Sequence, residues 1–318
     1  MLFVNRHIAR TLVLALLAMI TIPATAQRTL QHYLDVSVGG GVAMGMSTKS
    51  FVKDKIGADG QIGFAYEMAK HRFFFNIGVG ADYVLTRTGA DNFVDSYARV
   101  DKDGRAINYR YVYSDYVENE HLLMGSASIE LGYRFHRYGF FGVGAKVSFP
   151  FVSDYSTKTK LYTEGVYTEL IQPVSRNVPS YGYYPEIQYK DKGSFKAPDL
   201  YVAPMAEVGG VVPIQPGIIC RIGLFCEYMI PVVGSYKAQP ILDYSAVNLD
   251  PNTQNQEDLI ANLHMHPIVN GNFNRSVLEH GGEAMMKRMA ENLTIGIRCT
   301  FRFNVSRSPS ICNCVTDN

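Results

Sequence analysis

The stretch RYGFFGVGAKVSFPF, from Arg137 to Phe151, alternates between two kinds of residue. From Phe141 onward its odd positions read Phe, Val, Ala, Val, Phe and Phe, and its even positions read Gly, Gly, Lys, Ser and Pro. A period of two over this length predicts a β-strand with one apolar face. The opposite face holds small residues and a lysine, so the space on that side must be narrow as well as polar.

Seven further segments of the chain alternate in the same way. The eight segments are residues 32–44, 58–68, 72–86, 119–135, 138–151, 199–212, 217–231 and 291–305. Most of them are long enough to cross a bilayer as tilted strands. Their opposite positions hold small residues together with six acids and five bases, a near balance that a closed interior requires because unpaired buried charge is costly. These charged positions are Asp35, Glu67, Asp82, Glu130, Arg134, Lys146, Glu207, Arg221, Glu227, Arg298 and Arg302.

Short and long connections alternate between the segments. Links near 70–71, 136–137 and 213–217 are short, whereas those near 45–57, 87–118, 152–198 and 232–290 are long. Bacterial outer-membrane barrels have this pattern, with short periplasmic turns and long extracellular loops. We therefore predict an all-β fold, an antiparallel transmembrane β-barrel of eight strands over residues 27–305. A secreted β-sandwich and a soluble ligand-carrying barrel are the alternative folds, and a further hairpin in the third or fourth loop would give ten strands.

The two ends of the chain bear on its location. Residues 1–26 combine Arg6 and Arg10 with a short apolar run and an Ala-Thr-Ala site, which predicts a cleaved secretory signal peptide rather than a membrane anchor. Without those two arginines the formal net charge changes from +1 to −1, which does not favour nucleic-acid binding. Residues 306–318 are expected to form a periplasmic tail, with both termini of the mature chain in the periplasm.

Two short motifs resemble a known group of proteins. The segment Leu131-Gly-Tyr-Arg-Phe135, followed after a turn by Gly142-Val-Gly-Ala-Lys146, is similar to the porin-like, OmpA-type and PorT-type barrels of Bacteroidota outer membranes. The resemblance implies a Gram-negative cell and insertion by the outer-membrane assembly machinery. No cofactor is expected.

The long connections hold the candidate binding residues. Asp103-Gly104, between the alternating runs 93–100 and 105–113, predicts a hairpin that continues the third and fourth strands outward as a ribbon. The third loop is rich in tyrosine, which either binds a surface glycan or protein or packs the loop on itself. His264 and His266, with His280 nearby in sequence, are weak candidates for metal ligands, and solvated loop histidines are the alternative.

Catalytic chemistry has little support in the sequence. His121 and Ser126 fall near the outer end of one strand, but an odd and an even position face opposite ways, so they cannot meet without a bulge.

Three cysteines, Cys220, Cys226 and Cys299, are predicted on the lipid-facing register. Cys312 and Cys314 lie in the tail, where free thiols, an intermolecular bridge and a bond to another group are all open.

These observations favour a non-catalytic integral outer-membrane barrel whose large surface loops serve binding or structural roles. The alternatives are a small gated pore, a barrel enzyme acting on lipid or peptide, and a subunit of a secretion complex. The expected partners are outer-membrane lipid, the assembly machinery and a surface glycan or protein, and no nucleic acid is expected.

Overall fold

The computed structural model describes the strand-forming parts of the chain. The described residues are 30–46, 52–90, 92–100, 105–136, 138–167, 173–174, 186–195, 197–232, 242–243, 264–265 and 291–305. The predicted signal peptide, the tail with Cys312 and Cys314, His266, His280 and most of the fourth loop lie outside these residues.

Thirteen β-strands are formed by the described residues. They are β1 (Leu30–Met46), β2 (Val52–Lys70), β3 (Phe73–Ala90), β4 (Phe93–Val100), β5 (Ala106–His136), β6 (Gly139–Tyr167), β7 (Pro173–Val174), β8 (Ile187–Ser194), β9 (Leu200–Gln215), β10 (Ile218–Val232), β11 (Leu242–Asp243), β12 (His264–Met265) and β13 (Glu291–Asn304). No helix among the described residues is long and apolar enough to cross a membrane.

Eight of these strands form a closed ring. The order is β1-β2-β3-β5-β6-β9-β10-β13, and β13 pairs again with β1, with antiparallel neighbours throughout. The predicted eight-stranded barrel is therefore confirmed. A closed ring has no unpaired edge, which excludes the two packed sheets of a sandwich.

Two ring strands continue beyond the barrel. β5 and β6 have 31 and 29 residues, and their outer parts remain paired with each other. β4 pairs with residues 106–113 of β5, and β8 pairs with residues 154–161 of β6. We call β4, β8 and residues 106–120 and 153–167 of β5 and β6 the protruding sheet. It contains the two strands of the predicted ribbon, whose Asp103-Gly104 turn lies outside the described residues. It also extends strand structure into segments 87–118 and 152–198, for which the alternation predicts loops.

The two faces of the ring differ in the way that the alternation predicts. Large apolar side chains such as Phe64, Val79 and Leu131 are 61–63 % exposed on the outside. On β3 these outward residues run from Phe73 to Tyr83, about 33 Å along the strand. At a strand tilt of about 40° this run covers about 25 Å, the height of the apolar band of an outer-membrane barrel.

The interior is packed in layers along the barrel axis. At the end with the short turns, the aromatic side chains of Tyr33, Phe74 and Phe140 form a buried cluster with Ala69. At the end that carries the protruding sheet, a second apolar cluster fills the lumen: Ala43, Val84, Leu122, Met124, Ala197, Tyr201, Ala203 and Met229. Charged side chains, including Glu67 and Glu227, lie between these two clusters, whereas Glu118 and Glu120 are buried at the base of the protruding sheet.

Candidate functional site

The charged residues predicted on the inner face all point into the lumen, and most are buried. Glu67 and Arg302 have no exposed surface, and Arg134 is the most exposed of the ten, with 22 % of its side chain accessible. The structure brings these residues together in two clusters of ion pairs. The ten predicted residues are Glu67, Asp82, Glu130, Arg134, Lys146, Glu207, Arg221, Glu227, Arg298 and Arg302.

The first cluster is centred on Glu67 of β2. Its carboxylate accepts hydrogen bonds from Arg134 at 3.0 Å, from Arg221 at 3.3 Å and from Arg302. Arg302 also donates to both carboxylate oxygens of Asp35. Strands β1, β2, β5, β10 and β13 are thus joined through one buried carboxylate, and a salt bridge of 3.6 Å from Arg221 to Glu130 on β5 adds a further link.

The second cluster is centred on Glu227 of β10. It pairs with Lys146 and, at 2.6 Å, with Arg298. Arg298 reaches Glu207 at 2.9 Å, and Lys146 lies 3.3 Å from Asp82. Because each cation serves two carboxylates, the interior charges are held in one arrangement.

Neutral side chains complete the network, although their residue types alone do not predict this role. Gln61 accepts a hydrogen bond of 2.7 Å from Arg298 and donates one of 3.0 Å to Glu227. The guanidinium of Arg221 lies 4.4 Å from the ring centre of Phe140 and 4.9 Å from that of Phe74, within cation–π range. Gln61, Phe74 and Phe140 could still have been predicted to face the lumen. Each is an even number of positions from an inward-facing charged residue on the same strand.

One small cavity lies among the charged side chains of the lumen. A cavity of about 60 Å³ is bordered by Ser37, Ser126, Ser128, Glu130 and Glu207. One carboxylate oxygen of Glu130 and one of Glu207 are buried without a hydrogen-bond partner in the protein. Such a cavity accommodates a few water molecules, which would satisfy these oxygens, but it has no room for a substrate or an open channel.

The structure separates the residues considered for catalysis. A hydrogen bond of 2.6 Å joins His121 Nδ1 to Tyr83 Oη on the outer wall, whereas Ser126 borders the lumen cavity. These two side chains therefore lie on opposite sides of the barrel wall and cannot act as nucleophile and base.

No group of three or more potential metal ligands occurs among the described residues. The backbone of His264 pairs with Asp243 in the short β11–β12 ladder.

The cysteines of the wall differ in accessibility. Cys226 is exposed on the outer face, whereas Cys220 is only 7 % exposed and its Sγ lies 3.4 Å from that of Cys299. The predicted lipid-facing register places the three on one side of the sheet. For Cys220, however, contact with its neighbours leaves little surface for lipid.

The charged interior, the apolar wall and the closed ring together decide the class of protein. The chain forms an outer-membrane-type β-barrel.

Neither a family model nor a curated protein sequence matches the chain. Among solved structures, the chain matches Ail, the attachment invasion locus protein of Yersinia pestis, in complex with the heparin analogue sucrose octasulfate. The match has 10 % identity and a TM-score of 0.26, and it covers 86 % of this chain and 99 % of that chain.

The protruding sheet is the second candidate site because its outward face meets solvent. Asp115 has a left-handed backbone conformation, with φ of 54°, at the point where the β5–β6 register shifts. Its carboxylate lies 2.8 Å from Lys160 Nζ, and the hydrogen bond from this ammonium lowers the pKa of Asp115. On the inward face, burial raises the pKa of Tyr155 to about 12. The base of the sheet thus combines a buried inward face with an ion pair on its outward face.

Proposed function

We propose that the chain is a non-catalytic integral outer-membrane protein whose barrel holds the protruding sheet and the adjoining loops at the cell surface for binding. The barrel supplies the anchor, and the outward extension of β5 and β6 supplies a paired, stable support for the binding surface. The ligand class that we propose for the loops is a surface glycan or a protein.

The observation that carries this proposal is the filled lumen. Apolar clusters close both ends of the interior, and ion pairs between Glu67, Glu227 and five basic side chains span the space between them. An eight-stranded barrel has an interior just wide enough for side chains. This arrangement argues against the gated pore, which would need a wider lumen or a movable plug.

The proposed orientation places the short turns in the periplasm and the protruding sheet outside the cell. Short periplasmic turns and long external connections are general for bacterial barrels of this type. We also propose insertion by the outer-membrane assembly machinery of a Bacteroidota cell, which rests on the resemblance of segments 131–135 and 142–146 to barrels of that group.

Conductance measurements test the absence of a pore. The refolded protein is inserted in planar bilayers, and the same preparation is checked for faster migration on unboiled than on boiled gels, which reports a folded barrel. We expect no discrete current steps from heat-modifiable protein. Reproducible single-channel steps that scale with the amount of folded protein would refute the proposal that the barrel is a closed, non-conducting membrane anchor.

Cysteine labelling tests the orientation. In a background with the five native cysteines replaced by alanine, Lys192→Cys places a thiol on the protruding sheet and Lys70→Cys places one at the opposite rim. We expect a membrane-impermeant maleimide to label the first variant in intact cells. The second should require a permeabilised outer membrane, and the reverse pattern would mean that the orientation is wrong.

A further inference from the structure

Basic side chains form two rows across the outer wall, just where the protruding sheet begins. The strand registers place Lys55 of β2 opposite Arg87 of β3 in the first row, which continues through Asn119 and Ser156 to Lys192 of β8. In the second row Lys53 is followed by Gly89, Val117, Lys158 and Lys190. With the neighbouring Lys160, these side chains make up what we call the basic patch: Lys53, Lys55, Arg87, Lys158, Lys160, Lys190 and Lys192.

The side chains of the basic patch are accessible. Six of the seven belong to exposed residues, and the side chain of Lys160 is 41 % exposed. All lie on the outward register, because the alternate residues Thr86, Thr88 and Thr157 are buried on the inward side. The patch spans five adjacent strands, which is about 19 Å across the wall.

The basic patch directly adjoins the apolar wall. Tyr83 and His121, hydrogen-bonded to each other on the outer face, lie at this boundary, where amphipathic rings are favoured. Asn119 of the first row is two residues beyond His121, about 7 Å along the strand. On the other side of the boundary lie exposed apolar side chains, including Leu123, Phe149 and Phe151. The patch is therefore at the level of lipid head groups.

The charges of this surface are unbalanced. On the outward register the acidic residues beside the patch are Asp115, which pairs with Lys160, and the exposed Asp154 and Glu186. Asp54, Glu118, Glu120 and Asp191 alternate with the patch on the inward register of the same strands. On the outward side, seven basic residues thus accompany three acids. Lys158 and Lys190 lie directly opposite each other on paired strands, and like charges in this relation are unfavourable. A bound anion would remove that repulsion.

We propose that the basic patch binds the phosphate groups of a phosphorylated glycolipid in the outer leaflet of the membrane. The patch lies along the membrane boundary and spans several strands at head-group height, which fits a row of lipid phosphates better than one soluble ligand. Exposed ammonium and guanidinium groups attract anionic head groups strongly when they lie at the membrane surface. The assignment to the outer leaflet rests on the proposed orientation.

Lipid titration of the purified protein tests the patch. The full-length refolded protein in a neutral detergent is titrated with diphosphorylated lipid A or with the same lipid after phosphate removal, and bound lipid is counted by native mass spectrometry. The test variant is Lys158→Gln/Lys190→Gln. The matched control is Lys70→Gln/Arg72→Gln, which removes two exposed basic charges at the opposite rim.

We expect the test variant to bind the diphosphorylated lipid about tenfold more weakly than the wild type, and the control to bind it normally. The dephosphorylated lipid should not distinguish the proteins, and added salt should reduce the difference. Without lipid, the test variant should melt at the wild-type temperature or above it, because the opposed lysines are gone. A merely structural role for these lysines would lower the melting temperature instead.

Three results would overturn the proposal. They are equal binding of both lipids, an equal loss in the Lys70→Gln/Arg72→Gln control, and tighter binding of a soluble phosphorylated polysaccharide than of the lipid. The last result would assign the patch to a glycan. Because the titration is done in detergent, it does not depend on orientation, which the labelling of Lys192→Cys and Lys70→Cys decides separately.

Discussion

Asp35 and Arg302 lie directly opposite each other on the first and last strands of the ring, and Arg302 donates hydrogen bonds of 3.2 Å to both carboxylate oxygens. The two residues are 267 positions apart in the chain. Their pairing joins the strands that close the barrel. Arg302 also contacts Glu67, so this closing contact is part of the larger lumen network.

Replacing Arg302 should destabilise the barrel severely. Arg302→Met leaves the buried Asp35 without its bidentate partner, and loss of one member of a buried ion pair costs about 3–5 kcal/mol. The measurement is urea unfolding followed by the gel mobility of unboiled samples. Arg302→Met/Asp35→Leu removes the orphaned charge and should recover part of the loss. Unchanged unfolding of Arg302→Met would show that the closing contact adds no stability.

A methyl group at Gly142 should disturb the network. A Cβ atom there would overlap Glu130, whose carboxylate pairs with Arg221 and cannot move freely. We expect Gly142→Ala to lower the free energy of unfolding by about 1–3 kcal/mol through overpacking. Gly60→Ala is the matched control, because a Cβ at Gly60 meets no atom within 4 Å. Equal effects of the two substitutions would argue against a crowded lumen at Gly142.

A charge on the apolar wall should impair insertion. Leu224 is 58 % exposed near the middle of β10, and arginine on the lipid face at the bilayer midplane costs about 2–4 kcal/mol. Leu224→Arg should therefore fold poorly into lipid vesicles, as measured by the heat-modifiable fraction. Asn119→Arg, beyond the boundary marked by His121, should fold normally. If Leu224→Arg folds as well as Asn119→Arg, this part of the wall does not contact lipid.

The Asp115–Lys160 pair should make a small contribution to stability that depends on pH. Lys160 lowers the pKa of Asp115 from its ordinary value of 3.8, so the contribution is present above pH 3.8 and is lost as pH falls through the lowered pKa. Asp115→Asn removes the charge and keeps a residue type that tolerates the left-handed backbone. The melting temperatures of the two proteins should differ at pH 6 and converge near pH 2. A constant difference would contradict the ion pair.

The sequence predicted the ring well because lipid on one side and a narrow polar lumen on the other impose the same period on every spanning strand. The last predicted segment, 291–305, corresponds to β13 at Glu291–Asn304. The protruding sheet extends past the apolar wall, and threonine and lysine alternate there over residues 157–160, so hydrophobicity carries little signal. The pairing of β8 with β6 depends on long-range register, which a pattern within one segment does not contain.

The lumen was predictable in its charges and not in its aromatic packing. Phe74 lies between the outward residues Phe73 and Phe75 in the same run, and residue type alone cannot separate them. Only the shared parity with Asn76 and Asp82 assigns Phe74 to the interior. Asp59, buried on the same register as Gln61, was accessible to the same reasoning and was not included among the predicted charges.

The alternation of the strands also suits the route by which such a chain would reach its membrane. Small, polar or charged residues recur at many inward positions of each spanning strand, so no strand forms the run of about 20 apolar residues that a translocation channel releases sideways as a helix. The buried ions of the finished barrel, such as Glu67 and Arg302, interrupt the apolar character of the unfolded chain. The same side chains that fill the lumen would thus let the polypeptide pass through the inner membrane without being retained there.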